Sequence, residues 1–108
     1  MDLEQVIQNI KIKLSLTDDE SDELLEVLSN DAYSYMTIYL DKEVPQELQF
    51  ILEAVVIKRF RRIGAEGIAI EKIDVLTTTY EVGDDFAEYH NIMNRYKRNK
   101  SKKGFGFF

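Results

Sequence analysis

The sequence predicts a mainly α-helical fold, a small four-helix bundle with an extended β-like loop or hairpin between helices 3 and 4. Apolar residues recur at helical spacing in residues 2–14, 17–40 and 85–99. A third helix, apolar on almost every face, follows the only proline, Pro45. Residues 65–83, between helices 3 and 4, are rich in β-branched side chains, which favour extended structure over helix.

The length of the chain allows one domain. It has 108 residues, of which 44% are hydrophobic and 31% charged, an ordinary globular balance. We expect a single helical domain over residues 1–100 and a flexible basic and aromatic tail over residues 101–108. The chain has no cysteine, which excludes disulfides and thiolate metal sites. No apolar run is long enough to cross a membrane, so we expect no membrane partner.

The first two helices have distinct start signals. Asp2 can cap the first helix, whose apolar face runs from Leu3 to Leu14. Thr17 and Glu20 have the spacing of a capping box, in which each side chain binds the other residue's backbone N–H. We therefore expect the second helix to start at Thr17 and to run to about Leu40.

The third helix is predicted to begin at Pro45, because a proline at the first helical position loses no hydrogen bond. Its nearly all-round apolar pattern predicts that it lies at the centre of the fold or is buried in an assembly. Gly64 is the expected stop. Residues 65–83 could form a hairpin, an irregular loop or strands paired with a neighbouring copy, and a fourth helix over 85–99 should bury Phe86.

Charge is divided unevenly along the chain. Residues 1–53 contain thirteen acids and three bases, a sum of −10, whereas residues 54–108 contain seven acids and eleven bases, a sum of +4. The two sums give the net charge of −6. Regions of opposite sign suit head-to-tail contact between copies, or a basic tail that reaches an acidic partner.

No catalytic or cofactor-binding pattern is visible. His90 is the only histidine, and it has no second ligand one helical turn away, so we interpret it as a packing or surface residue. The acidic run at Asp18–Glu23 is explained by a helix start and lacks the spacing of a calcium loop. We therefore predict that the protein is not an enzyme and needs no cofactor. An alternative function is a small DNA-binding or generic protein-interaction module that uses the basic C-terminal tail.

The order of the elements resembles the head–tail connector (adaptor, head-completion) proteins of tailed phages. The most specific segments are Val44-Pro45 with Glu47-Leu48, and Arg62-Ile63-Gly64-Ala65-Glu66-Gly67 at the appropriate distance. The likeness covers nearly the whole chain. Ile70 departs from it, because a small polar residue is expected before Glu71.

The resemblance implies a structural protein of the virion, made in the host cytoplasm, whose copies form a dodecameric ring under the portal. The ring would continue the DNA channel, without sequence-specific DNA binding, and provide the attachment site for a tail-side completion protein. Three residue sets follow as hypotheses: a portal-binding tail (Lys100, Lys102, Lys103, Phe105, Phe107, Phe108); inter-subunit contacts (Arg59, Arg62, Glu66, Ile68, Ile70, Val75, Tyr80); and an acidic channel or ring face (Asp18, Asp19, Asp22, Glu23).

Overall fold

The described part of the chain, residues 1–66 and 85–98 of a computed structural model, is helical. It contains α1 (Leu3–Leu14), α2 (Asp22–Leu40), α3 (Gln49–Glu66) and the short α4 (His90–Asn94), with 3₁₀ turns before α3 (Gln46–Leu48) and before α4 (Ala87–Tyr89). The predicted fold class, a mainly α four-helix bundle, is confirmed. Most of the predicted β-like segment, residues 67–84, lies outside the described residues, as does the tail after Arg98.

Helix α1 begins and ends as its sequence predicts. The Asp2 carboxylate accepts a hydrogen bond from the Glu4 N–H at 3.0 Å, which caps the first turn. Val6 and Ile10 are fully buried on the inner face. Ser15, in the left-handed conformation with φ 60°, ends the helix, and its N–H donates to the Ile12 carbonyl.

Helix α2 begins at Asp22, later than the predicted start at Thr17, and the predicted capping box is wrong. The Glu20 N–H donates to Asp18 Oδ1 at 3.0 Å, so the Asp18 side chain takes the amide that Thr17 was expected to cap. Short acidic side chains commonly divert a neighbouring amide into such a turn. Ser21 then precedes the helix, without a side-chain cap.

Helix α3 differs from its prediction at both ends. Pro45 is extended (ψ 151°) and precedes the 3₁₀ turn, so it lies just outside the helix that it was expected to start. At the other end, the predicted stop at Gly64 is wrong, because the helix continues to Glu66. Glycine in a helix interior costs only about 1 kcal/mol, so Gly64 does not by itself end the helix.

The core lies mainly between α2 and α3. Apolar residues of α3 on this side are fully buried, namely Ile51, Leu52, Val55 and Val56. The outer side is not fully covered, since Phe50 is half exposed and Ile57 and Phe60 are only partly buried. The all-round apolar pattern of α3 therefore leaves part of its surface open.

Residues 85–94, which end with α4, pack against this core through Phe86 and Met93, and both side chains are fully buried. Burial of each such side chain contributes roughly 1.5–3 kcal/mol. α4 is much shorter than the predicted helix over 85–99. After Asn94 the chain turns, and the Arg98 N–H donates to the Leu40 carbonyl at the end of α2, which draws the backbone away from a helical path.

Candidate functional site

A buried ionic cluster joins α3 to the residues just before α4. Asp85 accepts two parallel hydrogen bonds from the Arg62 guanidinium, at 3.1 and 3.0 Å, and its Oδ2 lies 3.0 Å from Arg59 Nε. The side chains of Asp85 and Arg59 are only 7% and 3% exposed. Burial lowers the pKa of Arg59 from its usual value, and the nearby carboxylate of Asp85 opposes this shift. We call Arg59, Arg62 and Asp85 the Asp85 cluster.

An acidic surface lies at the turn between α1 and α2. Lys11 Nζ lies 3.0 Å from Asp19 Oδ1 and 2.8 Å from Asp22 Oδ1. Hydrogen bonds to Asp22 and then Asp19 raise the pKa of Lys11 above its usual value. Asp18 and Glu23 are exposed beside this group. This region, which we call the acidic turn (Asp18, Asp19, Asp22 and Glu23), therefore has a negative surface, because it contains one cation among several carboxylates.

Aromatic ring contacts join the C-terminal half of α2 to α4 and the residues just before it. Tyr35 stacks on Phe86 with ring centroids 4.6 Å apart, and Tyr39 stacks on His90 at 5.0 Å. The Tyr35 hydroxyl is also hydrogen-bonded to His90 Nε2 at 3.1 Å. Of the two roles predicted for His90, packing or surface, these contacts favour packing.

Beyond these rings, Arg98 anchors the backbone at the C-terminal end of α2. Its N–H donates to the Leu40 carbonyl at 2.9 Å, and its Nε donates to the Asp41 carbonyl at 2.8 Å. Lys97 Nζ lies 4.8 Å above the Tyr39 ring. Together these contacts hold the last described residues against the end of α2.

The structure brings together some of the predicted site residues. Three of the four predicted acidic-face residues are exposed, Asp18 and Asp19 before α2 and Glu23 in its first turn, and Asp22 is partly exposed. Arg59 and Arg62, predicted to contact a neighbouring subunit, bind Asp85 within the same chain. Glu66 is the last residue of α3. The other predicted contact residues lie outside the described residues: Ile68, Ile70, Val75, Tyr80, Lys100, Lys102, Lys103, Phe105, Phe107 and Phe108.

The sequence did not predict the role of Asp85, the first residue of the predicted fourth helix. A signal was present, because Arg59 and Arg62 are three residues apart on a helix that was expected to be buried. Buried arginines need an acidic partner. The sequence alone does not show which acidic residue is this partner, since seven acids follow residue 53.

Two kinds of functional element are not found in the described part of the chain. No group of three or more histidine and acidic residues is arranged to hold a metal ion. None of the described helices combines the length and apolar character needed to cross a membrane.

Comparison with known protein families gives a match. The family model described as phage gp6-like head-tail connector protein matches residues 4–97. No curated protein matches the chain, and no solved structure matches it. The matched range begins in the first turn of α1 and ends at Lys97, so it covers all the described helices except the first residue of α1.

Proposed function

The chain belongs to the phage gp6-like head–tail connector family, and from this premise we propose that its copies form a ring beneath the portal of a tailed phage. The ring continues the DNA channel and provides the site where the tail attaches. The family match over nearly the whole domain is the observation that carries this proposal. The protein acts in the virion after synthesis in the host cytoplasm, by assembly rather than by catalysis.

The acidic turn supports a role as a channel or ring face. Asp18, Asp19 and Glu23 present carboxylates to solvent, and Lys11 offsets only part of their charge. A negative surface repels the phosphates of DNA, so DNA can pass without being held. The same surface suits contact with a basic surface of the next copy in a head-to-tail ring.

The basic end of α3 is the proposed contact with a neighbour. The Arg62 side chain is 30% exposed, whereas that of Arg59 is 3% exposed. This difference supports Arg62 as the member of the pair that reaches a neighbouring copy. Arg59 instead holds the fold that presents it.

The tail is the proposed contact with the portal. It combines lysines, which suit an acidic partner, with phenylalanines, which make efficient interface anchors. Deletion of residues 101–108 should abolish co-purification with portal rings of the same phage. The helical fold should remain intact, because the packing contacts described above involve residues up to Arg98. Circular dichroism and thermal unfolding of the shortened chain provide the control.

The outcomes of this experiment separate the hypotheses. Equal capture of portal rings by the full and shortened chains would contradict docking through the tail, and capture by neither would contradict the portal as partner. Light scattering after size exclusion, with and without portal, tests the ring. The DNA-binding alternative instead predicts that the full chain retards duplex DNA at low salt, with affinity that falls steeply as salt rises.

A further inference from the structure

We propose that residues 99–108 dock on their own subunit, in an exposed groove beside the C-terminal end of α2. The groove is lined by Tyr33, Thr37, Ile38, Asp41, Lys42 and Glu43. None of these residues belongs to the Asp85 cluster or to the acidic turn. The proposal concerns the free subunit and does not depend on the proposed function.

The chain reaches the groove at its last described residue. Arg98 is held by the carbonyls of Leu40 and Asp41, and its Nε lies 3.6 Å from Asp41 Oδ2. Asp41 is itself part of the groove lining. The ten residues after Arg98 therefore start at one end of the groove.

The groove has an apolar floor and charged ends. Ile38 is 79% exposed, which is unusual for a large aliphatic side chain next to two other partly apolar residues, Tyr33 and Thr37. The Thr37 hydroxyl donates to the Tyr33 carbonyl at 3.0 Å, so its hydrogen is already used within the helix. An apolar side chain that covers this floor removes apolar surface from water, and the Thr37 hydroxyl keeps its hydrogen bond.

The tail has the complementary chemistry in the matching order. Lys100, Lys102 and Lys103 come first in sequence, and the three phenylalanines (Phe105, Phe107, Phe108) come last. The charged end of the groove carries the carboxylates of Asp41, which Arg98 already contacts, and Glu43, together with the ammonium of Lys42. Glu43 is therefore the carboxylate offered to the lysines of the tail, and the phenylalanine rings supply the apolar surface that covers Ile38.

The tail is also long enough. Phe105 follows Arg98 by seven residues, about 23 Å when extended. The helix rises only about 12 Å between Tyr33 and Asp41. A short tether gives an effective concentration in the millimolar range, so a weak intrinsic affinity is sufficient for docking in cis.

Paired cysteines test this docking directly, because the natural chain has none. The test variant combines Ile38→Cys with Phe107→Cys, and the matched control combines Ile12→Cys with Phe107→Cys. Ile12 is 74% exposed, on α1, and is therefore comparably accessible. Under mild oxidation at low protein concentration, the test pair should form an intramolecular disulfide at least about tenfold faster than the control pair. Non-reducing electrophoresis and intact mass measure the product.

A second variant separates docking from simple proximity. Phe105→Ser and Phe108→Ser, introduced together into the test pair, keep the tether but remove two rings, so the rate should fall towards that of the control. Equal rates for the test and control pairs, or a rate unchanged by the serines, would overturn the proposal. A disulfide-linked dimer as the main product would also overturn it, because the tail would then bind a second copy. Portal capture is measured separately, so its failure is distinguishable from failure of cis docking.

Discussion

Two ionic junctions connect successive helices, and their charges are reversed. Between α1 and α2, one ammonium, that of Lys11, lies between the carboxylates of Asp19 and Asp22. Between α3 and α4, one carboxylate, that of Asp85, lies between the guanidiniums of Arg59 and Arg62. The cations Lys11 and Arg59 are both largely buried, with side chains 10% and 3% exposed, but the carboxylates differ, since Asp19 is 89% exposed and Asp85 only 7%.

This difference determines what each junction does for the fold. Charges in solvent are screened, and exposed ion pairs contribute about 0–1 kcal/mol. Buried charges depend on their partners, because an unpaired buried ion loses its hydration without compensation. The Asp85 cluster should therefore hold the C-terminal segment against α3, whereas the acidic turn remains available as a surface.

The largest expected effect is that of Asp85→Ala. It would leave two guanidiniums facing each other, one of them almost fully buried, and should lower the free energy of unfolding by about 3–5 kcal/mol. Urea unfolding followed by circular dichroism measures this loss. The control is Glu88→Ala, which removes an exposed carboxylate 3.7 Å from Lys58 and should cost less than about 1 kcal/mol. Equal small losses in the two variants would refute the contrast between the junctions.

Glu53 provides an intermediate case, a buried acid between α1 and α3. Its carboxylate accepts hydrogen bonds from Lys13 at 2.6 Å, Gln49 at 2.7 Å and Asn9 at 3.0 Å. Burial alone would raise the pKa of Glu53, but the hydrogen bonds from these three donors outweigh burial and lower it below 4.5. The effect of Glu53→Gln should therefore fall between those of the two junctions, at about 1.5–3 kcal/mol.

The lowered pKa also sets the pH range of this contribution. Because the folded-state pKa lies below the unfolded-state value, the stabilisation is present above pH 4.5 and is lost as the pH falls through the folded-state pKa. Urea unfolding of the natural chain and of Glu53→Gln should give curves that converge as the pH is lowered. A constant difference between them at all pH values would show that the charge of Glu53 is not what matters.

The sequence predicted the helices better than their ends. The apolar spacing identified the buried face of α1 correctly, because burial of one face dominates helix stability in a domain. The start of α2 was missed because Asp18 and Thr17 compete for the same amide, and local spacing does not show which one wins. The fourth helix was overextended because the contact of Arg98 with Leu40 joins residues far apart in the chain.

The candidate site was predictable only where it depends on local charge. The acidic turn is continuous in sequence, so its exposed carboxylates could be identified directly. The Asp85 cluster could not, because its members come from residues on either side of a long segment, and only the fold pairs them. For the same reason, the sequence does not show that Arg59 has an acidic partner within its own chain.

The smallest effect on stability is expected at Lys11. Lys11→Met keeps the buried stem but removes the ammonium, and the exposed Asp19 can regain water. Because hydrogen bonds to Asp22 and Asp19 raise the folded-state pKa of Lys11 above 10.5, its contribution is present below that pH and is lost as the pH rises through the raised value. Thermal unfolding at neutral and alkaline pH, with Lys42→Met as an exposed control, measures this contribution. If Lys11→Met destabilised the fold as much as Asp85→Ala, the acidic turn would be a structural element, and its carboxylates could not serve mainly as a free surface.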